Sequence, residues 1–281
     1  MLYDAHNHLQ DEWLEPHLDT IVTELSRLPY GAAVVNGTHP DDWERVAALS
    51  RRHAWVHPSY GLHPWQCGRR PVDWREQFEA RLLADAHAAV GEIGLDRWIL
   101  EQARPDDPRL ADTTIAPLDE QLDAFRWQFA WAAKHERAAS VHCLRAWGLL
   151  VETLEQLPRP ARGFLLHAYG GSAELVPRLV QLGAYFSFSP AFLDRRKTRQ
   201  RDAFQAIPAD RLLVETDAPA MPPPPELELH PLPPSAHGVR VSSPANLPAA
   251  YAGLARLRGV ADDQLQAQVQ DNFRRLFGHR R

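Results

Sequence analysis

Cysteine is scarce in this chain. Cys67 and Cys143 are the only two, they form no CxxC pair and can make at most one bridge, which excludes a disulfide scaffold and a zinc ribbon. They read as small, reduced core or loop residues. Lysine is scarcer still in proportion: of 31 basic residues only Lys134 and Lys197 are lysines. No apolar run approaches the roughly 20 residues that cross a bilayer, and the first residues enter a strand pattern without a basic and then apolar leader. A cytoplasmic protein with no membrane partner and no obligate protein partner is the expectation. Excess positive charge is also missing, since the net charge is -5. That excludes a nucleic-acid binder held by bulk charge, but not an enzyme whose positive charge is local or supplied by metal. What remains is ordinary globular material: 44% hydrophobic and 24% charged residues over 281 positions, enough for a sizeable core and unlike a disordered chain.

Short apolar or β-branched runs alternate with longer amphipathic ones. The runs at 2–5, 32–36, 54–59, 88–93, 138–143, 163–167, 184–188 and 212–216 predict eight strands. Helical patterns at 41–52, 118–135, 146–156, 173–182 and 199–207 lie between them, and two more, about 245–258 and 261–277, close the chain. With no compositional break, the pattern predicts one α/β domain over residues 1–281, a TIM-type (β/α)8 barrel with additional C-terminal helices. The segments 97–117 and 218–234, charged and proline-rich respectively, follow strands four and eight. Both would lie over the C-terminal face of a barrel, as lids or as spacers.

Acidic and imidazole side chains collect at the downstream ends of these strands. His6 and His8 follow strand one, His63 strand three, Glu92 ends strand four, His142 strand five, His167 strand six, and Asp217 follows strand eight. Such ends meet on one rim of a barrel. His6 and His8, two apart in an extended segment, point to the same side. Independent core histidines have no reason to choose the same end of successive strands, so the set predicts a metal site. It offers more donors than one tetrahedral ion uses, and a shared carboxylate can bridge two divalent ions. Glu92, between Gly91 and Gly94, is the expected bridge, with His6, His8 and Asp217 on one ion and His142 and His167 on the other. Zn, Mg and Mn all remain open.

The motifs YDAHNHL, GLHPW, VGEIGLD, SVHCLRAW, LLHAYGGS, SFSPAF and VETDAP, with Asn246-Leu247-Pro248 and 272–277, appear in the order seen in the TatD family of metal-dependent hydrolases. The chain resembles that family over nearly its whole length. The resemblance implies a distorted TIM barrel and a divalent-metal deoxyribonuclease acting 3'-to-5' on single-stranded DNA or 3' ends through a water activated by two metals. It makes His6, His8, Glu92, His142, His167 and Asp217 the metal ligands and His63 a further active-site histidine. Four positions depart from the family pattern: Arg97 and Trp98 follow Asp96, Trp65 replaces a second histidine after His63-Pro64, Pro190 replaces a glycine, and Leu247 stands within the late motif. All touch rim or supporting loops rather than ligands. Many binuclear amidohydrolases instead use a carboxylated lysine on strand four, where this chain has Glu92.

Within that scheme Asp217 is the expected general base, and Glu92 and His63 complete the catalytic set, His63 contacting a phosphate oxygen or protonating the leaving group. Glu215 either orients a ligand from behind or pairs with a buried arginine. Arg145 is the expected phosphate fork, and the run Arg195, Arg196, Lys197, Arg199 and Arg201 a backbone guide or a solvated helix face. Trp65, Trp98 and Trp147 are candidates for base stacking or for packing. Two other readings compete: a metal-dependent ester or amide hydrolase such as a D-aminoacyl-tRNA deacylase, and a non-catalytic barrel used for binding.

Overall fold

A computed structural model of the chain describes residues 1–104, 106–111 and 113–278; positions 105 and 112, inside the 97–117 segment, and 279–281 lie outside the described residues. Eight strands, β1 (Leu2–Asn7), β2 (Tyr30–Asn36), β3 (Val56–Tyr60), β4 (Ala89–Asp96), β5 (Ala139–Leu144), β6 (Phe164–Leu166), β7 (Ala184–Phe188) and β8 (Leu212–Val214), pair in chain order. Every ladder is parallel. The helices between them are α1 (Leu18–Ser26), α2 (Pro40–Arg52), α3 (Trp74–Ala84), α4 (Trp98–Glu101), α5 (Leu118–Lys134), α6 (Trp147–Gln156), α7 (Val176–Gln181) and α8 (Thr198–Ala206). Helices α9 (Leu247–Arg258) and α10 (Asp262–Phe277) follow the last strand. This is the expected α/β barrel with its additional helices. A strand buried on both faces reads as a nearly continuous apolar run, which is why β2 and β7 were legible.

The barrel is nearly closed, and the seam between β8 and β1 is a polar device rather than a ladder. Asp4, fully buried, accepts from the Thr216 backbone N at 3.0 Å, the Thr216 hydroxyl at 2.6 Å and Asn7 Nδ2 at 2.9 Å. Two backbone bonds complete it, Asp217 N to His6 O at 3.0 Å and His8 N to Ala218 O at 2.7 Å. The C-terminal helices cover the same seam from outside. The Tyr251 hydroxyl of α9 accepts from Tyr3 N and donates to Tyr3 O, and Asn272 of α10 donates to the Ala209 and Leu212 carbonyls. The seam thus fixes His6, His8 and Asp217 relative to one another by hydrogen bonds made within two residues of each.

Several strand ends differ from expectation, and two of them bear on the site. Strand β4 does not end at residue 93 but pairs with β5 through Asp96, Gly94 facing His142 and Asp96 facing Leu144, so Glu92 lies in mid-strand. Strand β1 likewise runs through Asn7, which places His6 inside it. Arg258 Nη1 of α9 lies within hydrogen-bond distance of the carbonyls of Phe204, Gln205 and Ile207, pinning the end of α8. Both cysteines are free and buried, and burial pushes the Cys67 thiol up to about 12. No helix among the described residues is long and apolar enough to cross a membrane.

Candidate metal centre

The seven predicted side chains converge on the C-terminal mouth of the barrel around one carboxylate. Glu92 Oε2 lies 3.2 Å from His6 Nε2 and 3.1 Å from His8 Nε2. Its other oxygen, Oε1, lies 3.1 Å from His63 Nε2, 3.0 Å from His142 Nδ1 and 2.9 Å from His167 Nε2. Asp217 Oδ1 stands 3.7 Å from both His6 and His8, whose own Nε2 atoms are 3.2 Å apart. The i and i+2 histidines therefore do face one point. The rings of His6 and His167 stack at 4.0 Å and join the two halves. Glu92 reaches this position because residue 91 has no side chain: a Cβ there would lie 2.8 Å from Ser140 Cβ and 2.9 Å from Ser59 Oγ. Gly94, at φ +152°, is equally committed, since a Cβ would come 2.0 Å from the His142 carbonyl.

For His8, His142 and His63 a partner behind the ring sets which nitrogen faces inward. The Nδ1 of His8 lies 2.7 Å from the Asn36 carbonyl, which can only accept, so Nδ1 carries hydrogen and the Nε2 lone pair faces Glu92 and Asp217. His142 is oriented the opposite way round: Nε2 donates to Asp96 Oδ2 at 3.1 Å and Nδ1 faces the centre. His6 Nδ1 meets the Ser140 hydroxyl at 2.7 Å. His167 Nδ1 stands 3.7 Å from Glu215 Oε1, an ion-pair distance and not a hydrogen bond. His63 is different in kind. Its Nδ1 accepts from the Trp65 backbone N at 3.2 Å, so in the neutral ring Nε2 carries hydrogen and points at Glu92 as a donor.

Asp96 was quoted within a motif above without being assigned a role. It is fully buried, and one oxygen serves both His142 and the Trp65 indole N–H, at 3.1 and 2.6 Å. In an Asp96→Asn variant the NH2 must face either the Ile99 N–H, which Oδ1 accepts at 3.1 Å, or the two donors on Oδ2, and the negative charge behind His142 is lost, so the ring is held less firmly in its tautomer. The expected result is a drop in metal affinity of about 10- to 100-fold, measured by competition with a metal-chelating dye. Affinity equal to wild type would show that Asp96 does not hold His142.

Burial works against every charge here, and the partners decide the outcome. Burial alone would raise Glu92, but the imidazoles of His63, His167 and His6 outweigh it and hold its carboxyl well below the usual range. Burial would lower His8 and His142, yet Glu92 with Asp217, and Asp96 with Glu92, bring both up to about 9. His6 goes the other way, well below its ordinary value, through burial and the neighbouring His167. Asp217 is pushed up to about 7 by burial. The buried Glu92 carboxyl thus stays ionised, the state in which it can bind a cation. The donors of the cluster also have the separations a cation needs: atoms about 2.1 Å from one ion stand about 3.0 to 3.4 Å apart at octahedral or tetrahedral angles. The triangle of Glu92 Oε1, His142 Nδ1 and His167 Nε2 has sides of 3.0, 2.9 and 3.2 Å. Imidazole and carboxylate without thiolate suit Zn, Mn and related ions. The residues fit divalent metal.

The rim departs from several expectations. Glu215 has no arginine partner among the described residues; it lies between the Ser187 hydroxyl and His167. Trp147 packs edge-to-face on Tyr169 at 4.8 Å and serves packing. Arg196 pairs with Asp194 at 2.6 Å while staying exposed, as Arg195, Lys197 and Arg199 are, and Arg201 caps the carbonyls of Asp194 and Arg195. Arg145 is exposed at φ +58° and makes no hydrogen bond or ion pair among the described residues.

Comparison with known proteins agrees with this architecture. The sequence model of the family described as TatD related DNase matches residues 3–278. A protein of Enterobacter lignolyticus named 3'-5' ssDNA/RNA exonuclease TatD is 30% identical over 269 residues, covering 92% of each chain. A Bacillus subtilis protein named uncharacterized metal-dependent hydrolase YabD is 24% identical, covering 99% of each. Among solved structures, the TatD homolog YJJV of Escherichia coli superposes with a TM-score of 0.83 at 24% identity, over 99% of this chain and 98% of that one.

Proposed function

The chain belongs to the TatD related DNase family of metal-dependent hydrolases, and from that premise we propose that it removes nucleotides from the 3' end of single-stranded DNA. The observation that carries the reading is the split of Glu92, one oxygen toward His6 and His8 and the other toward His142 and His167. On this reading two divalent ions would be held here, one by His6, His8, Asp217 and Glu92 and the other by His142, His167 and Glu92. When bound, such ions supply Lewis acidity and neutralise charge developing on the phosphodiester.

The chain's own groups supply the proton chemistry. Asp217 Oδ1 faces the histidines while its other oxygen has no hydrogen-bond partner among the described residues, so it is placed to accept a proton from the attacking water. The water oxygen bonds to phosphorus, the bond from phosphorus to the 3' oxygen breaks, and the leaving oxygen takes its proton from solvent. His63 does not supply that proton. With Nδ1 accepting from Trp65 N and its basicity lowered by burial, it is a neutral ring with a fixed Nε2–H, suited to donate to a phosphoryl oxygen as charge builds there. Glu215 helps keep His167 in place from behind.

The test is direct. Purified protein is analysed for bound metal, then incubated with Mg, Mn or Zn and with 5'-labelled single-stranded DNA, duplex DNA, RNA and D-aminoacyl-tRNA. The expected result is a single-stranded ladder shortened from the 3' end and suppressed by a chelator. Deacylation of the tRNA with intact DNA, or no turnover with any metal, would overturn the reading.

A further inference from the structure

The rim on the β3 and β4 side carries an aromatic pair that the reaction above does not use. Trp65 sits on the 3-10 turn Pro64–Arg69 after His63, its ring 5.6 Å from that of His63, which is 4.7 Å from His142. Trp98 opens α4 and stacks on Trp65 with centroids 6.0 Å apart and planes 27° from parallel. At that separation the rings overlap only at their margins, and both remain half-buried rather than buried. The Arg109 guanidinium lies 5.1 Å from the Trp98 ring, held by Asp107 at 2.5 Å. By contrast Trp43, Trp74 and Trp131 are core residues.

We propose that Trp65 and Trp98 form a stacking platform for the unpaired terminal nucleobase of the strand being cut, and so select single-stranded ends. This rests on the nuclease reading and adds what recognises the base. Three features favour a nucleobase as occupant. The Trp65 indole N–H is bonded to the same Asp96 oxygen that orients His142, so the ring cannot swivel and keeps a fixed place beside the metal-binding side chains. Basic groups flank the aromatic surface: Arg109 above it, and Arg97 and Arg145 at the neighbouring strand ends, a combination that suits a base attached to phosphate. A base in duplex is already stacked and paired, so only an unpaired end gains by moving onto the platform.

The experiment compares kcat/KM for two single-stranded DNA oligonucleotides that differ only at the 3'-terminal nucleotide, one carrying thymine and one a tetrahydrofuran abasic unit. The wild-type protein is expected to prefer the thymine end by about 5- to 150-fold, the range that stacking one base provides. Trp98→Ala should bring the ratio toward one, and Trp98→Phe should keep most of it. Equal cleavage of both ends by wild type overturns the platform, and needs no variant to show it. So does a Trp98→Ala protein that slows both substrates by the same factor, since a purely structural tryptophan would do that. If wild type cleaves neither, the nuclease reading itself fails and the platform falls with it.

Discussion

Glu92→Ala abolishes hydrolysis, with kcat falling by more than about 10³-fold, and bound metal falls in parallel while the circular dichroism spectrum is retained. Five imidazole nitrogens lie between 2.9 and 3.2 Å from its two oxygens, and no other side chain spans both groups of histidines. Among the described histidines Asp217 comes within 4 Å of His6 and His8. Removing Glu92 therefore separates the centre into two incomplete sets of donors. The fold survives because β4 is held by its backbone: Glu92 N donates to Gly37 O at 2.9 Å, and residues 93–96 stay in ladder with β5. Turnover near wild type would remove Glu92 from the centre. Loss of the far-ultraviolet spectrum would instead assign its role to folding.

The sequence carried this centre in a form that can be read because a parallel barrel converts position along a strand into position in space. Downstream ends of strands share one rim, so His6, His63, His142, His167 and Asp217 could be grouped without any knowledge of distance. The pairing of His6 with His8 followed from the two-residue period of extended chain. What the period cannot reach is whatever lies outside a strand. β8 stops at Val214 and Asp217 adopts φ +52°, so the place of Glu215 between Ser187 and His167 is fixed by contacts and not by strand period. Asp96 escaped because its role is a contact across β4 and β5 and the 64–69 turn, joined through one carboxylate oxygen. The inward nitrogen of each histidine was equally hidden. It depends on what stands behind the ring: a carbonyl for His8, a carboxylate for His142, a backbone N–H for His63. The last of these gives the neutral His63 ring its hydrogen on Nε2, which residue type alone does not show. The basic residues of the rim show the converse: five within residues 195–201 look alike in sequence, yet Arg196 and Arg201 are engaged with local structure.

The second large effect is at Asp217, and the choice of substitution matters because of its backbone. At φ +52° the residue lies in the left-handed region, which asparagine and aspartate tolerate better than other side chains and where alanine costs about 1 kcal/mol or more. Asp217→Asn thus preserves shape and the Asp217 N to His6 O bond that helps close the seam. What it removes is the negative charge facing His6 and His8 and the capacity to take a proton. The expected loss in kcat is about 10²- to 10⁴-fold on single-stranded DNA, with a melting temperature close to wild type. Asp217→Ala should be as inactive and also less stable, by the backbone term. The two variants together separate chemistry from architecture: if Asp217→Asn turned over normally the base would have to be sought elsewhere, whereas equal melting of both variants would show that the left-handed turn places no demand on the side chain.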